Sequence, residues 1–394
     1  MSSFSRREFL RRMGAASALS LAWRGGLAIP SIAQAESTSP FRFLVVGDSL
    51  IWGQGLREDQ KFYSLTRDWL QFTVFNNSRE VDVKVKAHSG STLTLHPSDA
   101  EGLKRAGRDE SQYAHPEINI AFPSITKQID LAAEEYAREA VPPESVGLIM
   151  LSGGITDIGA KKVLDTSADD EELRRDIVRY CCDGMIGFLN HAAAAFPLAR
   201  IAVIGYFPMI SPQTPTGRLA DAYLETRRLP DPLKPFINNP LLRPIFNGDK
   251  KRGIERSRIW SEESNRNFQL AVNAFNDAGA RAPAVFIKSP LTEEHALETP
   301  KTMLFRMRRG RTEDFLYAER KQVCKPELKA LKAATGLKYS IRLCEIAAIG
   351  HPNVDGSRLY AGAIKTALRP LFRERSRAAH TAGAVAGSVL RLQY

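Results

Sequence analysis

Residues 41–56 read FRFLVVGDSLIWGQGL, and this stretch decides the fold. Phe43 to Val46 is a continuous apolar run, the pattern of a parallel strand buried on both faces. The run breaks at Gly47 into Asp48-Ser49-Leu50. A serine just past the carboxyl end of a central strand stands where open α/β sheets place their ligands. The amino terminus of a following helix would favour negative charge developing there. Two readings stay open at this point: Ser49 is a nucleophile, or Gly47 and Asp48 merely form a turn that caps a helix.

Outward from this stretch, strands and helices alternate. Asp59 to Phe75 places Phe62, Leu65, Trp69 and Phe72 on one helical face. Residues 81–86 alternate strictly and read as an edge strand with one wet face. A loop with His88, Ser89 and Gly90 follows, then a polar, irregular stretch at 97–122. Pro123-Ser124 opens a helix to about Ala140. Val146–Leu151 is a second buried strand, ending in the turn Gly153-Gly154-Ile155-Thr156-Asp157. A long amphipathic helix spans about 169–196, a strand 201–206, a helix 261–278, a short strand 284–288 and a last helix about 357–372. This order predicts a parallel sheet covered on both faces. Residues 211–260, rich in Pro, Asn and Arg, and the basic stretch 289–343 read as insertions.

The first 35 residues stand apart. Ser5-Arg6-Arg7-Glu8-Phe9-Leu10-Arg11 is a paired-arginine motif, followed by a weakly apolar segment and then Ala33-Gln34-Ala35. This is the layout of a bacterial twin-arginine export signal, so 1–35 is set apart from a single domain at 36–394. The expectation is a periplasmic or secreted protein that meets the twin-arginine translocase during export. The segment carries five arginines and one glutamate, hence four of the eleven net positive charges of the chain. The remaining charge is moderate, and no basic run with interleaved aromatics suggests a nucleic-acid groove. No apolar run reaches the roughly 18 residues of a membrane span. Of the four cysteines, Cys324 and Cys344 can close a loop in an oxidising compartment, whereas the adjacent Cys181 and Cys182 read as helical and free. No zinc-type spacing occurs.

Ser49, Gly90, the turn at 154–157 and His351 each follow a strand or lie in a loop at one end of the expected sheet. Ester hydrolysis by a serine needs a base for the hydroxyl proton and fixed donors for the oxyanion. Ser49 with His351 supplies the first. The N–H groups of Ser49 and Gly90, with a side chain from the third loop, supply the second.

In these four blocks the chain resembles the SGNH, or GDSL-type, hydrolase superfamily. Gly47-Asp48-Ser49-Leu50 is similar to the first block, Ser89-Gly90 to the second, Gly154-Ile155-Thr156-Asp157 to the third and Gly350-His351-Pro352-Asn353 to the last. The resemblance implies a flavodoxin-like three-layer α/β/α sandwich of about five parallel strands and no cofactor. It also implies Ser49 as nucleophile, His351 as base and an oxyanion hole of Ser49, Gly90 and residue 156. Two positions depart from the family: Thr156 replaces the oxyanion asparagine, and Ala348 stands where an aspartate normally precedes the histidine by three. Glu345, Asp355 or a backbone carbonyl are the candidate stand-ins for that acid. The expected activity is an exported esterase acting on a lipid or acylated carbohydrate, with the insertions as a cap. The alternative is a protein of this fold that binds an envelope ligand without cleaving it. His88 reads as a structural loop histidine, and Trp52 as either a pocket wall or packing.

Overall fold

Strand β1 (Phe41–Val46) lies inside a five-stranded parallel sheet of order β2-β1-β3-β4-β5, with β2 at Val81–Val85, β3 at Val146–Leu151, β4 at Arg200–Ile204 and β5 at Ala284–Ile287. The computed structural model describes residues 39–111, 114–215, 243–308 and 310–389. The expected export signal at 1–35 and the middle of the 211–260 insertion lie outside the described residues. From Phe43 onward every residue of β1 is buried, as the apolar run requires of a strand covered on both faces. Edge strand β2 buries Val81 and exposes Asp82, and its Lys84, with Lys86 just beyond, pairs with Glu135 of the helix above. Charges there keep an open edge from recruiting another strand.

Chain direction across the sheet reverses between β1 and β3. The connection from β1 to β2 moves one way, and all later connections move the other. Right-handed crossovers then force the helices onto opposite faces. Helix Phe62–Trp69 packs against the last helix, Val354–Val389, on one side. Ile125–Arg138, the 170–195 helix and Arg243–Asp277 pack together on the other. The result is a three-layer α/β/α sandwich in the flavodoxin-like order, whose ligand crevice opens where β1 and β3 part.

Four local readings need correction. Phe72, expected on the buried stripe, is 59% exposed. Its helix widens into a π-turn at Leu70–Val74, which rotates the stripe so that Leu70 is buried instead. The 97–122 stretch contains a helix, Pro97–Arg105, with proline in its first turn. The helix expected at 261–278 begins at Arg243, so residues 243–260 continue a core helix and bury Ile259 and Trp260. The last helix runs on to Val389, past the expected end near Phe372.

The second insertion builds its own small core. Helix Tyr317–Thr335 and helix Ile341–Glu345 pack Cys324, Leu328 and Cys344 against Leu103, Ile118, Ile120 and Phe122. Cys324 and Cys344 form a disulfide across a separation of 20 residues. Cys181, in a π-turn of the 170–195 helix, is buried and free; Cys182 is free and partly exposed.

Candidate active site

Ser49 opens a single helical turn, Ser49–Trp52, directly after β1. Asp48 caps that turn, its Oδ1 accepting from Leu50 N–H at 2.9 Å. Its Oδ2 accepts from the Tyr206 hydroxyl. Burial drives the Asp48 carboxyl above the usual range, and these hydrogen bonds oppose the shift. The capping reading and the nucleophile reading of this stretch are therefore compatible: Asp48 builds the turn that presents Ser49.

The serine hydroxyl meets the histidine. His351 Nε2 lies 2.7 Å from Ser49 Oγ, across 302 residues of sequence. His351 sits on a turn held by an isolated bridge between Leu304 and Pro352 and by Phe305 N–H donating to His351 C=O at 2.8 Å. Burial pushes the imidazole down to about 4, and the Arg320 charge acts in the same direction. The ring is thus neutral near pH 7. With its proton on Nδ1, Nε2 is free to accept from the serine. Nδ1 is buried and makes no hydrogen bond among the described residues. The backbone carbonyls of Ile349, Ala348 and Ala347 are the groups that act on the ring to favour its protonation.

Neither carboxylate suggested as a substitute acid reaches the imidazole. The Glu345 carboxylate faces Arg342 at 3.7 Å, and its carbonyl accepts from Arg320 Nε. Asp355 is exposed and pairs with Arg358 at 3.1 Å. Ala348 is fully buried beside Leu56 and Phe305. The candidates reduce to the backbone.

The Gly90 loop is bound to the serine's strand. His88 N–H donates to Gly47 C=O at 3.0 Å, and Ser89 N–H and Ile120 N–H zip the loop to residues 116–120. Among the described residues neither Ser49 N–H nor Gly90 N–H is spent on another group, so both are available to an oxyanion. Thr156 departs from expectation. Its single hydroxyl proton is donated to Ser91 C=O, which stitches the third loop to the second and leaves that proton committed there. Asp157 accepts from Leu93 N–H at 3.1 Å with both oxygens, and burial holds its carboxyl up to about 7.

Two side chains central to this geometry were not singled out from sequence. Gln128 is fully buried: its Oε1 accepts from Gly47 N–H at 2.7 Å, and its Nε2 donates to Gly47 C=O and Ser91 Oγ. The available signal was a polar residue within the Ile125, Ile129, Ala132 stripe. Glu117 is the other, also fully buried, accepting from Trp52 Nε1 at 2.6 Å and Gln54 Nε2 at 2.9 Å. Nothing in the irregular 97–122 stretch marked it. Trp52 is accordingly tied down, with the Lys61 ammonium 3.0 Å above its ring. Buried His88 makes a 2.9 Å contact from Nδ1 to Ser89 C=O, in keeping with a loop-building residue. Among the described residues no group of three potential metal ligands occurs.

No family model and no curated protein matches the chain. Solved structures do. A phospholipase A1 from Streptomyces albidoflavus NA297 is 10% identical, covering 84% of this chain and 100% of its own, with a TM-score of 0.41. An extracellular lipase from Streptomyces rimosus is 10% identical over 83% of this chain and 99% of its own, with a TM-score of 0.39. Est24, a carbohydrate acetylesterase from Sinorhizobium meliloti, is 11% identical over 84% of this chain and 99% of its own, with a TM-score of 0.34. These are likenesses of coarse shape, and the chemistry of the site rests on the geometry above.

Proposed function

We propose that this chain is an exported serine hydrolase of carboxylic esters, working through an acyl-Ser49 intermediate. The observation that carries the reading is the 2.7 Å contact between His351 Nε2 and Ser49 Oγ at the sheet's crevice. The hydroxyl adds to the ester carbonyl as its proton passes to Nε2. The oxyanion is held by the N–H groups of Ser49 and Gly90. The alcohol departs with the proton from His351, and a water activated by the same nitrogen releases the acid. A dyad does this work without a carboxylate on Nδ1, and the backbone of 347–349 is the nearby group that favours protonation of the ring. The resemblance of the four sequence blocks supports the same reaction class and an acylated carbohydrate or lipid as substrate. The paired-arginine motif and the Cys324–Cys344 disulfide support an oxidising compartment outside the cytoplasm.

A second reading, a ligand-binding protein that no longer cleaves, is favoured by the committed Thr156 hydroxyl and the missing acid at Ala348. One experiment separates the two. The mature protein and Ser49→Ala are assayed on short p-nitrophenyl esters and treated with a fluorophosphonate. Hydrolysis requires that the parent turn over and take the label, and that the variant lose at least about a thousandfold in rate and all labelling. A parent that neither labels nor turns over leaves the binding reading.

A further inference from the structure

The second insertion buries one cation whose partners lead to the turns of both Ser49 and His351. Arg320, in the first turn of helix Tyr317–Thr335, is fully buried. Its Nη1 donates to Glu117 Oε2 at 2.8 Å and to Asp314 Oδ1 at 3.0 Å. Its Nη2 donates to Asp314 Oδ2 at 2.8 Å and Thr312 Oγ1 at 3.1 Å, and its Nε to Glu345 C=O at 3.1 Å.

These partners lead to both halves of the site. Glu117 holds Trp52 Nε1 and Gln54 Nε2 and accepts from Gly55 N–H at 3.3 Å, so it grips the turn that begins at Ser49. Glu345 ends the helix that runs directly into the turn of His351, through Ile349 N–H to Ile346 C=O and His351 N–H to Ala348 C=O. One helical turn along from Arg320, Cys324 is joined to Cys344, the residue before Glu345. A buried ion cluster adds little stability over apolar residues of equal volume. What a guanidinium adds is a planar fork of directed donors that can fix several segments at once.

We propose that Arg320 is the positioning residue of this site, locking the turn of His351 against the turn of Ser49 and so doing the orienting work that the alanine at 348 cannot. The inference rests on the reading of Ser49 and His351 as nucleophile and base. The other charged groups around the base are engaged elsewhere. Glu117 and Asp314 are bound by Arg320, Glu345 faces Arg342, and Asp355 faces Arg358. On the nucleophile's side Asp48 is turned to Tyr206 and Leu50.

The test uses Arg320→Gln, Arg320→Lys and Glu117→Gln in the full mature chain. Two readouts are taken: the NMR titration of His351, without substrate, and fluorophosphonate labelling of Ser49 beside kcat and KM on p-nitrophenyl acetate. Arg320→Gln is expected to raise the imidazole midpoint by about half a pH unit or more as the neighbouring cation is lost. Its labelling and kcat fall by about ten- to a hundredfold with KM little changed. Arg320→Lys keeps the charge and the parental midpoint but loses the fork, so labelling still slows. Glu117→Gln slows it less.

A folded Arg320→Gln with the parental midpoint and labelling rate overturns the proposal. If that variant does not fold, parental labelling in both Arg320→Lys and Glu117→Gln overturns it equally. A parent that titrates as expected but takes no label removes the hydrolase reading instead, and the midpoint shift then still decides whether Arg320 governs the imidazole.

Discussion

His351 makes its contact with Ser49 as a neutral ring, and that has a direct kinetic consequence. Burial and the Arg320 charge bring the imidazole down to about 4 from an ordinary value of 6.5. Only the neutral form can accept the serine proton, so kcat/KM should hold level from about pH 8 to about pH 5 and halve near pH 4. An acid limb near 6.5 in the pH profile would contradict the enclosed ring. The same shift bears on stability. Between about 4 and 6.5 the unfolded chain binds more protons at this position than the folded one, so stability is lost as pH falls through that window. His88, pushed down to about 4 by burial, adds to the loss, while Asp157, held up to about 7, opposes it. Ala348 gives a sharper test. An aspartate restored there would not rebuild a triad, because the alanine side chain is fully buried against Leu56 and Phe305, in the space where Gly55 and Asp314 also meet. A second carboxylate beside Asp314, with Arg320 already shared, is uncompensated. Ala348→Asp should cost about 3 kcal/mol or more in urea unfolding and bring no gain in kcat.

The loops that carry the site are as constrained as the sheet. Gly90 adopts φ +85°, and a Cβ there would lie 2.2 Å from Asn119 Oδ1 and 2.7 Å from both Ile120 N and O. The asparagine can swing away; the backbone cannot. Gly90→Ala should therefore move the loop, with a loss of about 2 kcal/mol and, on the proposed mechanism, about a hundredfold in kcat as the Gly90 N–H is displaced from the oxyanion. Gly107, at φ +64° with open space for 4 Å around the position a methyl would take, is the control: Gly107→Ala should cost about 1 kcal/mol and leave kcat alone. The strands were legible because apolar runs such as 43–46 and 146–151, and the alternation at 81–86, need no knowledge of partners. That Ser49 and His351 would meet was legible because strand ends and the resemblance of the sequence blocks mark them. Gln128 and Glu117 were not, since a buried polar group is recognised by what it binds, and those partners lie 81 and 65 residues away in Gly47 and Trp52. Phe72 misled for a related reason: a periodicity argument makes no allowance for the π-turn that rotates its face.

At the scale of the whole molecule, two cores of different character hold the site between them. The sheet and its two helix layers form one apolar cluster that carries Ser49, while the insertion and residues 95–122 form the smaller one around the disulfide. Sequence showed the insertion as a basic stretch outside the sandwich, because the partners of its apolar residues lie in a segment without periodicity. Arg320 joins this smaller core to the turn of His351 through Glu345 and to the turn of Ser49 through Glu117; the helix that carries Glu345 runs straight into the turn of His351, so loss of the smaller core's integrity bears on His351 more directly than on Ser49. Closing a loop of 20 residues removes about 3 kcal/mol of unfolded-chain entropy. Replacing both Cys324 and Cys344 by serine should lower the melting temperature by roughly 4 °C. The loss should be local. Hydrogen exchange should quicken in 95–122 and 317–345, while β1, β3 and β4, buried in the other cluster, keep their protection. Fluorophosphonate labelling of Ser49 should slow in step with exchange in 317–345, because the base's turn loosens while the serine's turn stays capped by Asp48 and held at Gly47 by Gln128. Uniform loss of protection across both clusters would show instead that the insertion folds as part of the sandwich, and that the base depends on the molecule as a whole.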